Sequence, residues 1–272
     1  DNSGSFEGEV TRSIARHGAR KIVLTEPGEF RVLAMMEGWA EKFGIPVEIR
    51  TDDRFFCDRA GFARWADGRK QLRMEFFYRE MRRESGFLMD GDAPAGGQWN
   101  YDSDNRKPLP GGLGLPRRAR FEPDGITLEV LALVRERFKT HYGTLEPFGW
   151  GVTRADALAA LDHFITACLP SFGDVQDAMK QGDAFLYHSV ISPYLNIGLL
   201  TPREICDRAQ DAWSRGGAPL NAVEGFIRQI LGWREFMRHA YREYWREWQT
   251  DNGLNAHEDL PELYWSGETK MA

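Results

Sequence analysis

The last long stretch of the chain carries apolar side chains every three or four positions, which predicts an amphipathic helix over residues 221–248. The apolar positions are Phe226, Ile230, Trp233, Met237, Tyr241, Tyr244 and Trp248. A stripe of this kind packs into a core or forms the wall of a cofactor site.

Four further helices are predicted between residue 124 and this one. They cover 124–141, 153–169, 174–181 and a stretch that begins after Pro202. Thr153 and Thr201 occupy positions where a hydroxyl side chain caps the first turn of a helix. The chain after residue 124 is therefore predicted to be helical throughout.

The first 55 residues show another pattern. Residues 21–25 and 46–50 are short strand candidates, and 29–43 has apolar residues at helical spacing up to the C-cap Gly44. A strand, a helix and a strand joined by short loops form a βαβ unit with parallel strands. Two strands are too few for an independent sheet, so we expect further strands to precede them.

A charged amphipathic helix is predicted over 62–84, and the Gly- and Pro-rich stretch 86–115 is predicted to be a loop. A loop of this length is usually functional or a linker. Its 98–108 part combines a Trp and a Tyr with two basic residues. Two interpretations have equal weight: the rings stack on bases while the cations contact phosphate, or the loop packs its aromatic residues onto the protein.

Composition narrows the classes of protein. With 272 residues, 42% hydrophobic and 12% aromatic, the chain has enough apolar material for a substantial core. Its net charge of −6 does not indicate a nucleic-acid binder, although a basic groove can coexist with an acidic surface. No apolar run is long enough for a membrane span. Cys57, Cys168 and Cys206 are widely spaced, which indicates a reducing cytoplasm and gives no metal site.

The strongest candidate for binding chemistry is the segment 187–192. It consists of Tyr187, His188, Ser189, Val190, Ile191 and Ser192, followed by a proline that suits the first turn of a helix. Hydroxyl groups and the unpaired N–H groups of a helix N-terminus are suited to phosphate oxygens. The alternative is an ordinary helix cap. Hydrolase, P-loop and paired-cysteine motifs are absent from the sequence.

Together with Trp233-Arg-Glu-Phe236, this segment resembles the flavin-binding half of the photolyase/cryptochrome family. Stretches 25–31, 98–108, 186–193 and 264–271 are similar to the iron–sulfur bacterial cryptochrome and photolyase group, which includes prokaryotic (6-4) photolyases. The resemblance implies flavin adenine dinucleotide (FAD), a 6,7-dimethyl-8-ribityllumazine antenna and a 4Fe-4S cluster. It also implies that the chain is a central portion of such a protein, with the cluster ligands outside it.

The pattern and the resemblance predict a fold of class α/β plus all-α. A partial parallel-sheet antenna domain is expected over 1–85, an interdomain loop over 86–123 and an α-helical FAD-binding domain over 124–272. The resemblance implies FAD contacts from the segment 187–192, Gln229 and Trp233, whereas Arg234 and Glu235 are expected to point elsewhere. Glu26 and Pro27 are the implied contacts of the antenna chromophore.

Three more residues receive roles from the resemblance. Asp102 and Arg106 are implied to approach the DNA lesion, and Trp265 is implied to relay an electron to the flavin. For Trp265 the alternative is a buried packing residue.

The expected function is that of a light-driven photolyase, in which reduced FAD donates an electron to a pyrimidine photolesion of the (6-4) type. Damaged DNA is then the partner of a monomeric cytoplasmic protein without membrane contact. Two alternatives stay open: a cryptochrome-like blue-light photoreceptor that regulates gene expression, and a flavin-free helical nucleic-acid-binding module.

Overall fold

The computed structural model describes residues 2–141 and 143–270, and most of its regular structure is helical. Its first half contains α1 (Phe6–His17), β1 (Ile22–Thr25), α2 (Phe30–Glu37), α3 (Trp39–Phe43), β2 (Val47–Arg50), α4 (Arg59–Ala66), α5 (Met74–Ser85), β3 (Met89–Asp90) and β4 (Ala93–Pro94). Its second half contains α6 (Gly125–Arg137), α7 (Arg154–His163), α8 (Leu169–Val175), α9 (Ser192–Asn196), α10 (Pro202–Ser214), α11 (Leu220–Ile227), α12 (Glu235–Trp248) and α13 (Leu263–Ser266). Among the described helices, none has the length and apolar character needed to cross a membrane.

The βαβ unit predicted for the first 55 residues is confirmed. β1 and β2 pair in parallel, with Ile22 opposite Val47. The helical stretch between them is divided into α2 and α3 at Gly38. Gly44 adopts a φ of 66° and ends α3, as expected for a glycine C-cap.

The single helix predicted for 62–84 is wrong, because two helices occupy this stretch. The Asp58 side chain accepts a hydrogen bond from the Gly61 amide and caps α4, which ends at Ala66. Gly68 has a φ of 68°, in the left-handed region that glycine adopts without a steric penalty. The chain turns there before α5 begins, and the Asp-Gly turn signal outweighs the helical spacing around it.

In the helical half, the two predicted N-caps are confirmed as capping boxes. The Thr153 and Thr201 side chains each accept from the backbone amide of the third helical residue, and the acidic residue there accepts in return. The helix predicted over 174–181 is wrong. α8 begins earlier, at Leu169 with a proline in its first turn, and it ends at Val175. Residues 176–181 form turns and irregular backbone in place of the predicted helix.

One hydrophobic core joins elements from both sides of the long loop. It extends along the chain from Cys57 to Leu231, and α5 packs against the π-helical segment Arg228–Arg234 that links α11 to α12. The domain boundary that the sequence suggests after residue 85 stays a prediction. In the structure, the two helices before that boundary share their core with the helices after residue 153.

The stretch 86–123 is more ordered than a loop prediction implies. It contains the antiparallel pair β3–β4 and the 3-10 helix Asp102–Asn105. Arg82 is fully buried and donates hydrogen bonds to the carbonyls of Phe87, Leu88 and Trp99. A buried guanidinium with several acceptors fixes this backbone, because unpaired carbonyls would otherwise be buried without partners.

Candidate functional site

A cavity of about 360 Å³ lies between the 188–196 segment and the last long helical stretch. Four of the residues predicted to contact the flavin from segment 187–192 line it, namely His188, Ser189, Ile191 and Ser192. Gln229 also lines it, and its flavin contact stays a prediction. Its other described walls are Phe172, Leu195, Asn196, Phe226, Ile230 and Arg234. Hydroxyl, amide and guanidinium groups thus face one space between aromatic and aliphatic walls.

The π-helical segment Arg228–Arg234 decides which side chains of the long helix reach this cavity. A π-helix bonds residue i to i+5 and has a wider turn than an α-helix, so positions five apart share a face. Gln229 and Arg234 therefore face the cavity together, and the expectation that Arg234 points elsewhere is wrong. Trp233 is 44% exposed and lies outside the described lining, so its flavin contact stays a prediction.

Arg234 is held in place by aromatic and backbone partners. Its guanidinium stacks over Phe55 at 3.8 Å, and Nη1 donates to the Arg54 carbonyl at 3.3 Å. Burial lowers the pKa of Arg234, the adjacent Glu235 carboxylate opposes that effect, and an arginine retains its charge in either case. The cavity therefore has a fixed cationic wall.

Burial alternates along the segment 187–192, with Tyr187 and Ile191 buried and His188 and Ser192 exposed. Tyr187 is buried, and its hydroxyl donates to the Gly114 carbonyl at 2.6 Å. Ser192 begins α9, which has only five residues. The predicted phosphate site at a helix N-terminus is therefore weaker than expected, since so short a helix adds little dipole. The serine hydroxyls and Arg234 are the stronger donors.

Glu26 and Pro27 line a second cavity of about 300 Å³ between the end of β1 and α12. Glu26 forms an ion pair with Arg242 at 2.9 Å, and both side chains are largely buried. Phe30 stacks on Trp245, with ring centroids 3.6 Å apart. Glu26 and Pro27 therefore line the same cavity as this aromatic pair, and their contact with an antenna chromophore stays a prediction.

The two residues predicted to approach DNA form an ion-paired chain. Arg106 is largely exposed and pairs with Asp102, whose other carboxylate oxygen accepts from Arg228 Nη2 at 2.9 Å. The Arg228 hydrogen bond is the main reason that the pKa of Asp102 is lowered. Tyr101 beside them is buried, which favours the packing interpretation for that ring of the loop.

Trp265 is 64% exposed on α13 and lines neither of the two cavities in the described part of the chain. Its role as an electron relay stays a prediction. The three cysteines are separately buried, and burial raises the pKa of Cys57 to about 12 and that of Cys168 to about 11. Within residues 2–141 and 143–270, no group of three His, Cys, Asp or Glu side chains could hold a metal ion.

Sequence comparison defines the class of protein. Residues 1–150 match the family model described as deoxyribodipyrimidine photo-lyase-related protein, and the chain belongs to this family. The resemblance derived from its motifs is thereby confirmed at the level of the family.

Two individual proteins are similar to this chain in sequence. Over 271 residues, 100% of this chain, it is 50% identical to a (6-4) photolyase of Agrobacterium fabrum and covers 54% of that protein. Over 95 residues, 35% of this chain, it is 40% identical to an uncharacterized protein of Acanthamoeba polyphaga mimivirus, 72% of which is covered. The chain thus spans about half the length of the photolyase it matches.

A solved structure was also compared. The crystal structure of a bacterial class III photolyase from Agrobacterium tumefaciens superimposes with a TM-score of 0.49 at 19% identity, over 92% of this chain and 46% of that one.

Proposed function

We propose that the chain forms part of a light-driven DNA photolyase of the (6-4) type and contributes one side of its FAD site. The observation that carries the proposal is the 360 Å³ cavity in which His188, Ser189, Ser192 and Gln229 meet Arg234. His188, Ser189 and Ser192 come from one segment and Gln229 and Arg234 from the π-helical segment, so the fold brings together residues that are far apart in the sequence. Membership of the photolyase-related family supports the same assignment.

The donor set fits a dinucleotide diphosphate. Serine hydroxyls, an amide and a guanidinium are donors to phosphate oxygens, and a fixed cation balances the negative charge. Phe172, Phe226 and Ile230 form an apolar wall that would exclude water from a ring system. The cavity volume is at the lower end of the range for such sites, so these residues would hold part of the cofactor.

When bound, reduced FAD supplies the light-driven electron for the lesion. The residues of this chain would bind and orient it: Ser189, Ser192 and Arg234 at the diphosphate and the aromatic wall beside the ring. Trp265 remains the proposed relay residue, on the strength of the sequence resemblance alone.

The second cavity supports a separate proposal for the antenna. Glu26 and Arg242 present hydrogen-bonding groups beside the Phe30–Trp245 stack, a combination that suits a polar heteroaromatic chromophore such as the ribityllumazine. The three cysteines do not fit a 4Fe-4S cluster, because none of them belongs to a group of three possible metal ligands within residues 2–141 and 143–270. No step of the proposed function uses them.

Replacing Ser192 with Trp tests the flavin site. The indole would fill the cavity that Ser192 lines, so FAD affinity is expected to fall roughly tenfold or more. The measurement is a titration of the chain with FAD followed by quenching of flavin fluorescence. Ser13→Trp, at an exposed position on α1, is the matched control.

Unchanged affinity in the Ser192 variant would remove this cavity from the flavin site. Absence of FAD binding by the unmodified chain would instead favour a helical nucleic-acid-binding module. A light-dependent assay for repair of (6-4) lesions then separates a photolyase from a blue-light photoreceptor.

Replacing Arg106 with Ala tests the DNA contact. Arg106 is 66% exposed on its side chain, so a phosphate group can reach it, and its ion pair with Asp102 fixes its position. Affinity for a duplex with a (6-4) lesion is expected to fall severalfold, and the slope of log affinity against log salt should decrease by about one. Arg215→Ala, at the exposed arginine that directly follows α10, is the control. An unaltered slope would make Arg106 structural.

A further inference from the structure

The segment that contributes serines to the proposed flavin site has a strained backbone. Leu186 and Val190 have φ values of 44° and 53°, in the left-handed region that side chains with a Cβ avoid. Val190 is the greater outlier because its Cβ is branched. Such conformations persist only where the surrounding structure holds them, and they cluster at ligand sites.

The surroundings hold this segment from one side through the 114–118 stretch. The Tyr187 hydroxyl donates to the Gly114 carbonyl at 2.6 Å. The Arg118 guanidinium lies between two rings, 3.5 Å from the centroid of Trp150 and 4.8 Å from that of Phe185. Residues 185 and 187 are thus both fixed to the same short stretch.

Arg118 acts through stacking rather than through a charge pair. No carboxylate influences its pKa, and its buried Nη2 has no hydrogen-bond partner among the residues the structure describes. Arg118, His163, Ser189 and Val190 line one small cavity of about 30 Å³.

We propose that the 114–118 stretch, through Arg118 and Gly114, holds segment 186–192 in the strained conformation that presents Ser189 and Ser192 to the flavin diphosphate. Arg118 is then a positioning residue, because it lies outside the described lining of the proposed flavin cavity and contacts Phe185 beside the strained segment. The inference rests on the proposed FAD site, but the strain and the stacking exist without a ligand.

The first experiment therefore uses the ligand-free chain. In Arg118→Met, exchange of the Leu186 and His188 amides, which are hydrogen-bonded to Asp183 and to the Phe185 carbonyl, is expected to be roughly tenfold faster. Arg118→Lys should behave alike, because a lysine keeps the charge but not the planar stack. Arg208→Met on α10 is the control, with no change in these amides expected.

The second experiment measures FAD affinity in the same variants. Arg118→Met is expected to bind FAD roughly tenfold more weakly, and adding Val190→Gly should restore most of the affinity, since glycine adopts a positive φ without strain. Unchanged exchange in Arg118→Met would overturn the proposal. So would weaker FAD binding that Val190→Gly does not restore, which would indicate direct ligand contact. If the unmodified chain does not bind FAD, the proposed function fails, whereas the exchange result still decides whether Arg118 holds the segment.

Discussion

Replacing Arg228 with Met is expected to lower the free energy of unfolding by about 3–5 kcal/mol. Glu224 is completely buried, and Arg228 Nε lies 3.4 Å from one of its carboxylate oxygens. The other carboxylate oxygen accepts from the Tyr101 amide at 3.0 Å. Without Arg228, the Glu224 carboxylate would be buried with no opposing charge in contact, and Asp102 would lose its hydrogen bond from the long helix.

Burial already raises the pKa of Glu224, and Arg228 is the strongest influence that opposes this rise. The variant should therefore take up a proton at Glu224 at higher pH than the wild type. The loss of stability is expected at neutral pH, and it should diminish as the solution is acidified and Glu224 becomes neutral. Urea unfolding followed by tryptophan fluorescence at several pH values provides the measurement.

Two companion variants make the test specific. Arg215 forms an i,i+4 pair with Asp211, as Arg228 does with Glu224, but both members of the Arg215–Asp211 pair are exposed. Arg215→Met should therefore change stability by less than about 1 kcal/mol. The double variant Glu224→Gln with Arg228→Met should recover part of the loss, because the uncompensated charge is gone. A loss in Arg228→Met no larger than in Arg215→Met would contradict the argument.

The local features of the fold were predictable because short-range chemistry determines them. The parallel pair β1–β2 follows from two apolar runs on either side of a helical period. The capping boxes at Thr153 and Thr201 follow from a hydroxyl residue three positions before an acidic one. Each of these signals lies within a few residues of the structure it specifies.

The long loop was not predictable in the same way. Arg82 lies on α5, and it orders the following stretch by donating to carbonyls as far away as Trp99. The 3-10 helix Asp102–Asn105 is likewise fixed by partners on the last long helix, more than a hundred residues later. Composition indicates only that such a stretch lacks a helical or strand period. The acceptors and donors that order it come from distant parts of the chain.

The candidate site shows a related limit. Family resemblance brought the 187–192 segment and Gln229 together, and the structure places most of them at one cavity. Trp233 came from the same resemblance, and its flavin contact stays a prediction. The expectation for Arg234 was wrong because the π-helical segment changes the phase of the helix, and nothing in its composition signals this change.

A loss of stability between pH 6.5 and about 4 is expected from His239 on α12. This side chain is completely buried, its ring stacks on Phe62 with centroids 4.8 Å apart, and Nε2 lies 3.1 Å from the Cys57 carbonyl oxygen. Burial, with smaller contributions from Arg238 and Arg242, lowers the pKa of His239 from 6.5 to about 4. Between pH 6.5 and about 4, the His239 ring is therefore neutral in the folded protein and protonated in the unfolded chain.

The sign follows from proton linkage. Because the unfolded state binds more protons between the two pKa values, the free energy of unfolding falls as the pH falls through this window, by about 3 kcal/mol in total. Buried Glu224 and Glu235 act in the opposite direction, because their raised pKa values let the folded protein gain stability on acidification. The wild-type curve alone thus mixes both contributions.

The variant His239→Phe separates them, because the decline in the free energy of unfolding between pH 6.5 and 4 should become smaller by about 3 kcal/mol. Replacing the exposed His257 with Phe is the control, and it should leave the curve unchanged. Parallel curves for wild type and His239→Phe would mean that His239 is protonated in the folded state, and that burial does not keep it neutral.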